Sequence, residues 1–147
     1  MSKIVPLISS GTSGPLGVLH LPRLWQKVSL ESRGKLAEGY PGIGKGYDMM
    51  VISALGLKED AVKKFINDSK PTYAQFEAWV KKQPGVKLDK GTVDQLNGGI
   101  RGYIHSDDTR KSILSANALP DDTSAPKDAV NLNNLDDWYE FWRAELK

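Results

Sequence analysis

The chain has 147 residues, no cysteine, and 20 Lys and Arg against 18 Asp and Glu, a net charge of +2. This length predicts a single domain, 1–147, that buries a core without help from disulfides or metal. The missing cysteines exclude disulfides, thiolate catalysis and Cys-ligated zinc, and so even a charge balance argues against a nucleic-acid partner, which calls for a basic excess.

At the N-terminus, "MSKIVPLISSGTSGPLG" carries one Lys and a short apolar run broken by Pro6. A signal peptide needs about 7–15 apolar residues and a membrane span about 20. The sequence therefore predicts a soluble cytoplasmic protein with no membrane partner, residues 1–13 forming a mobile lead-in.

Helical spacing dominates the rest. Leu21, Leu24, Trp25 and Val28 fall at i, i+3, i+4 and i+7, with Pro22 in the first turn, where its missing N–H costs nothing. Tyr47, Met50, Val51, Ala54 and Leu55 repeat the spacing, and Gly56 fits just past the helix end. Ala61, Val62, Phe65 and Ile66 make a third stripe. Thr72 and Gln75 form a capping box before Phe76, Trp79 and Val80, and "QPG" at 83–85 stops that helix.

A second box, Thr92 and Gln95, precedes Val93, Leu96, Ile100 and Ile104. Gly98, Gly99 and Gly102 lie within this helix at about 1 kcal/mol each relative to Ala. Either another backbone packs closely there or the helix is broken. Ile113 and Leu114 mark a short helix starting near Asp107 or Asp108, and residues 119–134 form a long connection. In the final helix Leu135, Trp138, Trp142 and Leu146 share a face, and Trp25, Trp79 and Trp142 read as core anchors together with Leu55. No period-two alternation, βαβ rhythm or internal repeat appears, so the expected fold is an all-α bundle of five to seven mostly short helices.

Three places could carry chemistry. In "GYPGIGKGYD", Gly39, Gly44 and Lys45 have the spacing of a phosphate loop, but Gly46 stands where a hydroxyl should reach Mg²⁺, and no strand precedes the loop. Nucleotide hydrolysis is not expected. Four glycines leading into a helix near Tyr47 still offer free N–H groups beside Lys45 for an anion, or else serve only as a permissive turn with Asp48 offsetting the helix dipole. In the first helix His20, Arg23 and Lys27 share one side, as a solvated face or as a ligand-facing one. His105 with Asp107 and Asp108 reads as ordinary N-cap chemistry rather than a metal site. No metal and no cofactor is expected.

Taken in order, "GPLGVLHLPRLWQK", "YD" before "MMVISALGL", "FEAWVKK" and "LDDWYEFW" resemble a family of small bacterial proteins classed as a domain of unknown function. The resemblance covers roughly residues 14–142 and carries no agreed activity. It implies that His20, Pro22, Arg23 and Asp48 occupy family positions, with Leu55-Gly56-Leu57 at the family's helix end. The family's turn often has Cys-Pro before the Asp; here Gly46-Tyr47 replaces it.

Two functions follow. The first is a binding module that holds a small anionic ligand between the first helix and the glycine turn, using His20, Arg23, Lys45, Tyr47 and Asp48. In the alternative, a small enzyme uses His20 as general acid or base, oriented by Asp48, with Tyr47 as an auxiliary donor. They separate on whether His20 and Asp48 converge in a concave pocket. A third reading, an oligomeric scaffold, would leave an apolar patch exposed on the C-terminal helix.

Overall fold

Thr72 and Gln75 close their reciprocal box, the Thr72 hydroxyl accepting from Gln75 N–H and the Gln75 side chain accepting from Thr72 N–H. This satisfies two donors that a helix start leaves orphaned. Three later helices start at an aspartate or a serine: Asp89, Ser106 and Asp128 each accept from the backbone three residues on. The helix expected to begin at the Thr92–Gln95 box therefore starts earlier, because Asp89 supplies the cap and Thr92 is its donor.

The computed structural model describes residues 2–147. Seven helices follow in order: α1 (Leu21–Ser32), α2 (Tyr47–Leu55), α3 (Glu59–Ser69), α4 (Tyr73–Lys81), α5 (Lys90–Gly102), α6 (Asp107–Ala116) and α7 (Ala129–Glu145). Among the described residues there is no strand, only three isolated bridges. The chain is an all-α bundle. α1 packs on α3 and α4, α2 packs on α5, and α7 lies against both α5 and α6. None of these helices is long and apolar enough to cross a membrane.

The main core joins Leu21, Leu24 and Val28 of α1 to Val51, Ile52 and Leu55 of α2, with Phe76 and Ile100 from farther along. Trp25 and Trp79 pack at its edge, Trp79 stacked on Phe65 with ring centroids 4.9 Å apart. A smaller cluster of Ile113, Leu114 and Leu132 holds α6 to α7. Trp142 departs from the expected core: it is 43% exposed, and Trp138 and Leu146 on the same face are 57% and 67% exposed. α7 instead buries Ala129, Leu132 and Asp137, because its first half faces the bundle and its aromatic end runs past it. An aromatic face is thus left open on the last helix.

Gly56 ends α2 in left-handed backbone, φ 75°, as its place in the sequence requires. The three glycines of α5 have neither expected role. That helix is continuous, and a Cβ on Gly98 or Gly102 would meet nothing within 4 Å.

Residues 2–13, the expected lead-in, are laid against the bundle. Ile4 bridges Leu36, Ile8 N–H donates to the Gln26 side chain, and Val5 and Ser10 are buried. The segment then doubles back: Ser13 bridges Leu19, and His20 N–H donates to Thr12 C=O. Asn97 of α5 fixes the bend, accepting from Leu19 N–H and donating to Gly17 C=O. His20 is positioned by all of these contacts.

Candidate functional site

His20 caps α1 in left-handed backbone, φ 71°. Few residues other than glycine adopt this conformation, and it persists only where the surroundings enforce it. The ring is buried with both nitrogens engaged: Nδ1 lies 2.9 Å from Ser10 Oγ and Nε2 2.6 Å from Asp48 Oδ1. The second Asp48 oxygen accepts from Lys27 Nζ at 2.5 Å and from Gly44 N–H at 2.8 Å. Thus α1, α2 and the glycine turn meet at one carboxylate.

Electrostatics follow from burial and these partners. Burial disfavours the charged imidazole and holds His20 below the ordinary histidine value, although Asp48 pulls the other way. For Asp48 burial pushes upward, but the His20 and Lys27 hydrogen bonds outweigh it and keep the carboxyl below its usual range. The consistent state is a neutral His20 that donates Nε2–H to an ionised Asp48 and accepts the Ser10 hydroxyl proton at Nδ1.

A second buried pair stands beside the first. Arg23 donates from both terminal nitrogens to Asp137, at 2.6 and 3.1 Å, and also to the carbonyls of Pro6 and Ile8. The Tyr40 hydroxyl adds a third donor to Asp137, at 3.0 Å. Both pairs border one cavity of about 340 Å³ whose walls are α1, the glycine turn, the start of α2, residues 103–105 and α7. A larger open groove of about 550 Å³ lies between α1 and α3, but solvent-facing groups such as Lys63, Lys64 and Asp68 dominate its polar lining.

His20, Arg23, Lys45, Tyr47 and Asp48 all border the smaller cavity, but their states differ from those an anion seat requires. Arg23 already holds Asp137 and two carbonyls through its terminal nitrogens. The Gly44 N–H and the Lys27 ammonium are both taken by Asp48, so an internal carboxylate fills the role expected of an external anion. Tyr47 donates its hydroxyl to Ile100 C=O at 2.5 Å, and burial pushes it up to about 12. Lys45 alone of the five is exposed. Arg23 and Lys27 do not form the solvated face that was one reading of α1; both are buried.

Sequence reasoning missed the α7 wall, formed by Asn133, Asp136 and Asp137, together with Tyr40 and Tyr103. Its signal was present in "AVNLNNLDD", where Ala129, Asn133, Asp136 and Asp137 fall at i, i+4, i+7 and i+8. The aromatics that follow define a competing face of the same helix. Among the described residues, no three His, Asp or Glu side chains gather as metal ligands. No protein-family model matches the chain, and no curated protein matches it.

Proposed function

We propose that the chain is a small enzyme that moves protons on a small polar molecule held in this cavity, with His20 as general acid or base and Asp48 as the carboxylate orienting it. The observation that carries the reading is the 2.6 Å bond between Asp48 and a buried, left-handed histidine at the cavity wall. Asp48 fixes the tautomer and supports the imidazolium when it forms. Lys27 and Arg23 disfavour that cation, so His20 returns its proton readily.

Ser10 is buried and lies off the cavity lining, so for His20 to act the Ser10 segment must move aside and let Nδ1 exchange the hydroxyl for the reacting group. That bond is the easier of the two to displace, because the Asp48 bond is charge-assisted and the Ser10 bond is neutral. The binding-module reading draws less support, since the fixed cations of α1 are already matched by carboxylates.

The test incubates the purified chain with pooled small polar metabolites, once in D₂O and once in H₂¹⁸O, and follows isotope incorporation by mass spectrometry. Deuterium uptake reports proton abstraction, and ¹⁸O uptake reports hydrolysis. Incorporation into at least one compound is expected, falling about 100-fold or more in His20→Asn and persisting in Ser10→Ala. Asn is chosen because it tolerates left-handed backbone. No incorporation with either isotope, or full activity in His20→Asn, overturns the reading. Loss in Ser10→Ala with retention in His20→Asn would transfer the role to the serine.

A further inference from the structure

Both histidines of the chain border the cavity, and their ring nitrogens are in different states. His20 has both occupied. His105 has Nε2 at 2.8 Å from Asn133 Oδ1, and its Nδ1 has no hydrogen-bond partner among the described residues. An amide oxygen only accepts, so Nε2 carries a hydrogen, and in the neutral ring the lone pair is then on Nδ1.

We propose that His105 is a second proton-transfer residue of this cavity, taking a proton from the bound molecule at Nδ1, with Asn133 as the positioning residue that fixes its tautomer. The inference rests on the reading of the cavity as an acid–base site.

Backbone pairing holds the ring in place. Ile104 bridges Asp128, His105 N–H donates to Lys127 C=O at 3.4 Å, and Ala129 N–H donates to Tyr103 C=O at 2.8 Å. His105 therefore hangs from a short clamp at the start of α7, and Asn133 follows one turn inside that helix. The Tyr103 ring meets the imidazole edge-on with centroids 6.1 Å apart, restricting its swing.

Asp136, one turn beyond Asn133, lines the same cavity and has no hydrogen-bond partner among the described residues. Burial, then Asp137 and Glu140, push its carboxyl up. Arg23 and, to a smaller extent, a cation on His105 work against those effects without cancelling them. The abstracted proton sits on Nδ1 while Nε2–H stays on Asn133. It then passes to a second atom of the same molecule, or to water, and His105 ends neutral. Two histidines on two walls let one site remove a proton at one atom and deliver one at another.

The test treats the full chain with limiting diethyl pyrocarbonate and maps labelled peptides by mass spectrometry. His105 should react about ten-fold faster than His20 or more, since only a free lone pair attacks. Long-range ¹H–¹⁵N correlations should show His105 with hydrogen on Nε2, becoming a tautomer mixture in Asn133→Leu but not in Asn133→Asp. In the isotope assay, His105→Ala should lose about 100-fold and recover with added imidazole, a rescue that a merely structural residue would not give.

Equal or faster labelling of His20, or hydrogen on His105 Nδ1, overturns the proposal. Incorporation lost in His20→Asn but kept in His105→Ala overturns it alone and leaves the His20 reading standing. The converse pattern removes His20 and leaves His105; no incorporation by the unaltered chain overturns both.

Discussion

Three donors from two segments converge on the Asp48 carboxylate: His20 Nε2 and Lys27 Nζ from α1 and its cap, and Gly44 N–H from the glycine turn. Converting it to Asn leaves the Lys27 ammonium buried without a counter-charge. Breaking such a pair from one side costs about 3–5 kcal/mol, so Asp48→Asn should lower the urea midpoint by a corresponding amount at unchanged slope. His20 gives the pH dependence. Because burial holds its folded value below the ordinary one, the unfolded chain takes up the proton first as pH falls. Stability from this group is complete above about pH 6.5 and declines below it. Tm should therefore drop on acidification from neutral, and His20→Asn should flatten the first part of that drop. Asp48, held low by its donors, adds a second loss below about pH 4. A Tm that rises on mild acidification would contradict the neutral assignment of His20.

Among the elements, a glycine at a helix end and a glycine inside a helix should respond in opposite directions. Gly98 lies inside α5, and a Cβ there meets nothing within 4 Å. Gly98→Ala should stabilise by about 0.5–1 kcal/mol through helix propensity and a less free unfolded chain. At Gly56 φ is 75° and an added Cβ would lie 2.9 Å from Gly85 C=O. Gly56→Ala should destabilise by more than about 1 kcal/mol, and paired denaturation curves check both signs. On α7, Trp138 and Trp142 stand in solvent while Trp25 and Trp79 pack against the core. Acrylamide should quench a distinct part of the tryptophan emission, and that part should vanish when both α7 tryptophans become Phe. Periodicity made α1, α3 and α4 legible, since each carries one apolar stripe, while α2, apolar nearly all round, is marked by the glycine at its end. Periodicity misled on α7, where Leu135, Trp138 and Trp142 and the Ala129–Asp137 set offer two competing faces.

Across the whole molecule, what stayed hidden was pairing rather than type. His20, Arg23 and Lys27 could be placed on one side of a helix from spacing alone, and Asp48 at a helix start. Nothing local says that Arg23 meets Asp137, 114 positions away, or that Lys27 meets Asp48 across the glycine turn. A charged helix face looks the same in sequence whether it meets water or carboxylates, because helical period reports direction and not neighbour. The glycine turn is legible as a helix entry, but the anion at its N–H groups is the chain's own Asp48.

The Arg23–Asp137 pair also sets an order in time. A nascent chain has made its first helix, and the arginine on it, long before the carboxylate that neutralises that arginine exists. Until α7 is synthesised and docks, the guanidinium has only the Pro6 and Ile8 carbonyls and water as partners, and the N-terminal segment rests on its contacts to Leu36 and Gln26. Joining chain ends this far apart carries a loop-closure cost that earlier contacts must lower first. The cavity is thus a late product of folding, closed only once α7 has followed the six helices before it.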